Sequence, residues 1–120
     1  MENDIADYGI LVSVCAAKYT YLFVDDTDRE RYIAVLIRMS KNGLPDDAVL
    51  VIAGLPGDTA QILFHNGYEE SLRNLFRRIH TSYAAYRKTK NCPIHFGRAS
   101  YELLDGKRLL ADARKKIRDN

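Results

Sequence analysis

The chain has 120 residues, 47% of them hydrophobic, a size and composition that predict one globular domain with a modest core. No apolar run approaches the roughly 20 residues of a membrane span, and the acidic start is unlike the basic and then apolar order of a secretory signal. The net charge of +2 conceals a split, because residues 1–70 hold 5 basic and 12 acidic residues, whereas residues 71–120 hold 13 basic and 4 acidic ones.

The first predicted elements are a central strand and a helix. Residues 9–16, GILVSVCA, form a nearly continuous apolar and β-branched run, which is typical of such a strand. Thr27 and Glu30 have the spacing of a capping box, so we expect the helix to begin near Thr27. Gly43 and Pro45 predict its end. Its predicted core face consists of Tyr32, Ile33, Leu36 and Met39.

A hairpin is predicted after the first helix. Residues 48–54 and 59–65 are rich in apolar and β-branched side chains. The sequence GLPGD between them breaks any helix and allows a short reversal of the chain. We therefore expect the second and third strands to be antiparallel neighbours.

The second predicted helix, residues 69–88, has one apolar and one cationic side. Apolar side chains recur at i, i+3, i+4, i+7, i+11 and i+14, which is the spacing of one helical face. These core positions are Leu72, Leu75, Phe76, Ile79, Tyr83 and Tyr86. A stripe offset from them contains Arg73, Arg77, His80, Ala84 and Arg87, with Arg78 and Lys88 beside it.

The remaining sequence predicts a strand and a last helix. Residues 94–104, IHFGRASYELL, read as the fourth strand, in which Gly97 is a candidate β-bulge. Asp105 is a candidate cap for a helix with Leu109, Leu110, Ala113 and Ile117 on its inner side. The order β-α-β-β-α-β predicts an α+β fold over residues 1–120, a ferredoxin-like split β-α-β with an antiparallel sheet and an added C-terminal helix.

Residues suited to metal binding or proton transfer are few. The histidines His65, His80 and His95 stand in no metal-binding spacing, and Cys15 and Cys92 form no CxxC motif. We therefore expect no cofactor, and free thiols in a reducing cytoplasm. A group of acids lies where a helix dipole favours negative charge: Asp25, Asp26 and Asp28.

The arginine stripe is the stronger functional signal. Arginines on successive turns lie about 5.4 Å apart, so their forked N–H donors can meet successive phosphates. Tyr83, Tyr86 and Tyr101 offer rings on which unpaired bases can stack. The sequence leaves two alternatives open, a solvated basic face for the arginines and core packing for Tyr83 and Tyr86.

Three segments carry a resemblance that extends over almost the whole chain. They are LFVDDTDRERYIAVL, LRNLFRRIHTSYAAYRKTK and HFGRASYELLDGKRLL. Because of the order and spacing of these segments, the chain resembles the REP-associated tyrosine transposases, a branch of the single-tyrosine HUH transposase superfamily. The resemblance implies a ferredoxin-like domain, often dimeric, that binds hairpin ends of single-stranded DNA.

The resemblance also implies a chemistry whose residues this chain lacks. Family members hold a divalent metal such as Mg²⁺ or Mn²⁺ with a His-hydrophobic-His motif, and a tyrosine of the last helix attacks the scissile phosphate. The histidine places fall on Asp58 and Ala60, or on Thr59 and Gln61 after a shift of one residue. The tyrosine place falls on Lys116, and the chain stops where family members continue. The resemblance therefore predicts a catalytically inactive relative that is either C-terminally truncated or a fragment of a longer protein.

The predicted function is DNA binding by a degenerate transposase-like domain of a mobile element, cytoplasmic and nucleoid-associated in a bacterium or archaeon, with a homodimer as one expected state. Phosphate contact and stacking are assigned to Arg73, Arg77, Arg78, Arg87, Lys88, Arg98 and Tyr101. One alternative is a protein-interaction or regulatory module that kept the fold and lost DNA binding. Another is residual nuclease or transposase activity, with Tyr101 or another tyrosine as nucleophile and a metal held by Asp58 and His65.

Overall fold

The structure, a computed structural model, describes residues 8–45 and 48–105. Six elements follow one another: β1 (Tyr8–Cys15), α1 (Asp26–Lys41), β2 (Val49–Gly54), β3 (Thr59–His65), α2 (Glu69–Thr89) and β4 (Ser100–Asp105). The strands form one antiparallel sheet in the order β2-β3-β1-β4. The predicted α+β fold with an antiparallel sheet is confirmed. The predicted last helix, with Lys116, lies outside the described residues.

The core lies between one face of the sheet and the two helices. β1 is paired on both sides, as its apolar run predicted, and Ile10, Val12 and Val14 pack against buried side chains of α1 and α2. On the opposite face Leu11 packs with Leu63 in a second, smaller cluster. Alternate side chains of the same strand thus serve two apolar layers, which is why β1 shows no polar alternation.

The start of α1 differs from the prediction. Asp25 is the N-cap, and its Oδ1 accepts a hydrogen bond from Asp28 N at 3.0 Å. Asp28 Oδ2 in turn accepts from Val24 N at 2.8 Å. The predicted capping box of Thr27 and Glu30 is therefore wrong. A carboxylate is a stronger acceptor than a hydroxyl at the positive end of a helix, and the two aspartates satisfy free N–H groups reciprocally.

The fourth strand begins later than predicted. The sequence favoured residues 94–104, whereas β4 begins six residues further along the chain. Upstream of β4, Phe96 forms only an isolated bridge with Ala16. The N–H of Gly97 donates to Cys15 O at 2.8 Å, and a Cβ at Gly97 would lie 2.8 Å from Cys15 Sγ. Glycine at this position permits that close approach.

An extra residue between two pairings changes the direction of the side chains. Ser13 pairs with Ser100, and Ala16 forms a bridge with Phe96. Three residues lie between Phe96 and Ser100 but only two lie between Ser13 and Ala16, and this excess of one residue is that of a β-bulge. In an unbroken strand Phe96 and Tyr101 would point to opposite faces, because they are an odd number of residues apart. The bulge brings both side chains to the face that carries the helices.

Candidate nucleic-acid interface

The helix α2 presents cationic side chains to solvent along most of its length. Arg73, Arg77, Arg78 and Lys88 are exposed, and Tyr101 on β4 is partly buried. The predicted core face is buried at Leu72, Leu75, Phe76, Ile79 and Tyr83, and Tyr86 is partly buried against it. The 3.6-residue period therefore separated the two sides of α2 correctly over its first four turns.

Arg87 is the exception among the predicted contact residues. Its side chain is 1% exposed, so its predicted place on the outward stripe is wrong. The guanidinium donates to the carbonyl oxygens of Leu22 at 2.7 Å and Cys92 at 2.9 Å. Its Nε also lies 3.9 Å from Asp28 Oδ2. The segments before α1 and after α2 cover Arg87, and no phosphate can reach it in this structure.

An open pocket of about 420 Å³ lies between α2 and the segment that leads into β4. The helix contributes Arg73, Arg77 and His80 to its lining. Phe96 comes from the segment before β4, and Tyr101 lies on β4 itself. Three of the predicted contact residues therefore share one concave site. The β-bulge before β4 makes the site, because it turns both Phe96 and Tyr101 toward α2.

The two arginines of the pocket are held differently. Arg73 donates to Glu69 Oε2 from Nη2 at 2.6 Å and from Nε at 3.0 Å, and this bond raises the pKa of Arg73. Its guanidinium also lies 4.7 Å from the ring centre of Tyr101. The Arg77 guanidinium donates to the Asn74 side-chain oxygen at 3.3 Å, and no carboxylate among residues 8–45 and 48–104 pairs with it. Arg77 is thus the freer cation for an incoming phosphate.

His80 forms the inner wall of the pocket. Its ring stacks on Phe96 with centroids 4.1 Å apart and planes within 9°, and its Nε2 lies 3.0 Å from the Tyr32 hydroxyl oxygen. That hydroxyl is buried and makes no other hydrogen bond in the described part of the chain. Burial lowers the pKa of His80 to about 4, which keeps the ring neutral at pH 7.

The remaining exposed cations lie outside the pocket. Arg78 lines a separate shallow depression with Ser71 on the neighbouring side of α2. Lys88 follows Arg77 by three helical turns, about 16 Å along the axis. Arg98 is exposed within the bulged segment. These side chains extend the basic surface beyond the pocket in several directions.

Asp58 and His65, proposed above as alternative metal ligands, lie at opposite ends of β3. The strand between them separates the two residues by roughly 23 Å, so the prediction that they share a metal is wrong. Both Asp58 oxygens accept backbone N–H bonds, from Leu22 and Phe23, each at 2.9 Å. Ala60, the other residue at the family's histidine places, is fully buried and carries no ligand atom.

Asp58→Ala is expected to lower the free energy of unfolding by about 2 kcal/mol, because the N–H groups of Leu22 and Phe23 lose their acceptors. Urea denaturation measures the change. The control is Glu30→Ala on the exposed side of α1, for which we expect a change within about 0.5 kcal/mol. A difference in the free energy of unfolding between the unchanged chain and Asp58→Ala that appeared only in the presence of Mn²⁺ would contradict this purely structural role for Asp58.

Metal ligands and thiols do not cluster elsewhere in residues 8–45 and 48–105. No group of three His, Cys, Asp or Glu side chains there is placed to hold a metal ion. Cys15 and Cys92 are both free, and Cys15 is exposed at the end of β1. The pocket beside α2, in contrast, combines guanidinium, imidazole and aromatic side chains.

A buried charge cluster ties the segment before α1 to the end of α2. Asp28 is fully buried and accepts from Val24 N at 2.8 Å and from Tyr86 Oη and Lys90 Nζ at 2.7 Å each. Burial alone raises the pKa of the Asp28 carboxyl, but the hydrogen bonds from Lys90, Val24 and Tyr86 outweigh it and hold that pKa below its usual value. The cluster stabilises the fold next to the pocket without opening into it.

Two pocket residues were absent from the predicted contacts. Phe96 was assigned to the predicted fourth strand, next to the bulge candidate Gly97, and His80 was placed on the cationic stripe without a role. The one available signal for Phe96 was Gly97 beside it, since a glycine in a strand marks a bulge or a close backbone approach. The contacts of His80 with Phe96 and Tyr32 join segments far apart in sequence, and no local pattern encodes them.

No protein-family model matches the chain. No curated protein matches it closely enough to count as a relative. The resemblance to REP-associated tyrosine transposases therefore stays a prediction. Within the described residues, neither α1 nor α2 has the length and apolar character that crossing a membrane requires.

Proposed function

We propose that the chain is a DNA-binding domain related to the REP-associated tyrosine transposases, one that binds single-stranded or hairpin DNA without cutting it. The observation that carries the proposal is the convergence of Arg73, Arg77 and Tyr101 on one pocket beside α2. Guanidinium forks match phosphate oxygens, and aromatic walls accept unpaired bases. A fully paired duplex hides its base faces, so an unpaired strand suits this site better.

The charge around the pocket supports a polyanionic ligand. Residues 71–105 hold seven Lys and Arg but only two Asp and Glu. Arg87 and Lys90 are engaged by the buried cluster around Asp28, which leaves five exposed cations on α2 and the segment that follows it. Such a concentration raises the local density of a negatively charged strand and speeds its association.

The proposal assigns no catalytic residue and requires no metal. A tyrosine nucleophile is activated by a lowered pKa or by a neighbouring base. Burial instead raises the pKa of the Tyr101 hydroxyl, and the residues at the family's histidine places serve the fold. We assign the protein to the bacterial or archaeal cytoplasm and nucleoid, where DNA is accessible, and a homodimer stays a prediction.

The proposal is tested by replacing the arginines and measuring salt-dependent binding to a fluorescent DNA hairpin with a single-stranded tail. For the unchanged chain we expect affinity to fall steeply between about 50 and 200 mM salt, and to be weaker for the matched duplex. Arg73→Ala with Arg77→Ala should reduce the slope of log affinity against log salt by about 0.7–1.4, the values for one and two phosphate contacts on a single strand.

The matched control for one charge compares Arg77→Ala with Lys41→Ala. Lys41 is exposed at the end of α1 and does not line the pocket. Arg77→Ala should lower the slope by about 0.7, while Lys41→Ala should leave it unchanged. Equal effects of the two substitutions would show that net charge alone attracts DNA, and would remove this pocket as the interface.

A second candidate function is protein interaction, favoured by an apolar groove on the other side of Tyr101. The groove has a volume of about 630 Å³, and Tyr68 and Leu103 line it with 65% and 67% exposure. Exposed apolar surfaces of this kind mark interaction sites. Absence of DNA binding at 50 mM salt, together with a partner whose binding is abolished by Leu103→Asp, would favour this function over the first.

A further inference from the structure

We propose that the pocket seats one unpaired base of the bound strand, while Arg77 at its rim holds a phosphate next to that base. The inference rests on the proposed function and names the part of the DNA that enters the pocket. It predicts that the protein recognises one position of the strand far more strongly than the positions around it.

The aromatic lining of the pocket suits a flat heteroaromatic ring system. The open volume of about 420 Å³ leaves room for one. His80 stacks in parallel on Phe96 and meets Phe76 edge to face, and all three residues line the pocket. Tyr101 also lines it, and the Arg73 guanidinium lies 4.7 Å from the centre of the Tyr101 ring.

A polar group on the lining of the pocket is available to a base. His80 lines the pocket, and its Nε2 is hydrogen-bonded to the Tyr32 hydroxyl. Among the described residues, none is hydrogen-bonded to its Nδ1. The second nitrogen of a neutral imidazole is a donor or an acceptor, and the polar edge of a base offers a partner for either.

The charges around the pocket are arranged for one phosphate at its edge. Arg73 already donates twice to Glu69, so it acts mainly as part of the wall. Arg77 lacks a carboxylate partner among the described residues and lies on the same lining. A base in the pocket therefore brings its backbone phosphate toward the less occupied of the two arginines that line it.

The test is an abasic scan with the full chain. A fluorescent single strand of about twelve nucleotides keeps every phosphate, and one base at a time is replaced by an abasic sugar. Because stacking of one base on aromatic side chains accounts for roughly 5- to 150-fold in affinity, one position should lose at least fivefold and the others less than twofold.

Replacing one of two neighbouring alanines by phenylalanine tests whether the base needs the pocket. Ala84 lines the pocket, whereas Ala85 is exposed on another side of α2 and does not. Ala84→Phe should lower the affinity of the intact strand to that of the most sensitive abasic strand and abolish the position effect, and Ala85→Phe should change neither. Thr81→Trp, at an exposed lining position, repeats the test if Ala84→Phe is unstable.

The outcomes separate this inference from the proposed function. Strong binding in which every abasic position loses the same small amount would overturn the seated base and leave DNA binding intact. A sensitive position that persists in both Ala84→Phe and Thr81→Trp would place the base elsewhere and likewise overturn the inference. No binding of the intact strand at 50 mM salt would overturn both proposals.

Discussion

Asp28→Ala is expected to lower the free energy of unfolding by about 3–5 kcal/mol. The carboxylate is fully buried and accepts hydrogen bonds from Val24 N, Tyr86 and Lys90. Its removal leaves Val24 N, the Tyr86 hydroxyl and the 1% exposed guanidinium of Arg87 without their acid, while Lys90 keeps Asp25 Oδ2 at 3.0 Å. An uncompensated buried charge is among the costliest defects that a single substitution creates.

Urea denaturation measures this effect, and Asp26→Ala is the matched control. The Asp26 side chain is 96% exposed, so we expect a change of about 0.5 kcal/mol or less. A double-mutant cycle with Arg87→Met tests the pairing, because the double variant should be less destabilised than the two single losses predict together. A loss below about 1 kcal/mol for Asp28→Ala would contradict the buried cluster.

The free energy of unfolding is expected to fall by about 3 kcal/mol as the pH is lowered from 6.5 to 4. Burial lowers the pKa of His80 in the folded chain to about 4, whereas an unfolded histidine titrates near 6.5. Between these values the unfolded chain takes up a proton that the folded chain does not. The contribution of His80 is therefore fully present above pH 6.5 and is lost as the pH falls toward 4.

Two measurements check this pH dependence. Urea denaturation between pH 4 and 7 gives the slope, and His80→Gln should flatten it in this range because the titrating group is gone. Nuclear magnetic resonance of the His80 ring should show a titration midpoint near 4. A midpoint near 6.5 would contradict the buried neutral ring. The lowered pKa values of Asp25 and Asp28 predict a further loss of stability only at pH values below about 4.

The neutral state of His80 links this stability to the proposed site. The Tyr32 bond and the Phe96 stack hold the ring in a buried position, and that burial favours its neutral form. Protonation would place a charge in the pocket wall and would weaken the packing of β4 against α2. We therefore expect recognition of a single base to be lost in the same pH range in which the fold loses stability.

Periodicity and turn residues were sufficient to predict the order of the elements. The apolar run of β1, the Gly and Pro residues of the hairpin and the 3.6-residue repeat of α2 act over a few neighbouring residues. Their boundaries agree with the structure within one or two residues, except where Asp25 replaces Thr27 as the cap and where β4 begins at Ser100. Local backbone preferences and the burial of one face account for this success.

The site depended on contacts between distant parts of the chain. Arg87 is buried because Leu22, 65 residues earlier, supplies a carbonyl oxygen, and Asp28 is buried because Tyr86 and Lys90 reach it from the far end of α2. One extra residue before β4 brings Phe96 and Tyr101 to the same face. A helical or strand period describes which side a residue occupies, but the segments that cover that side are decided by tertiary packing.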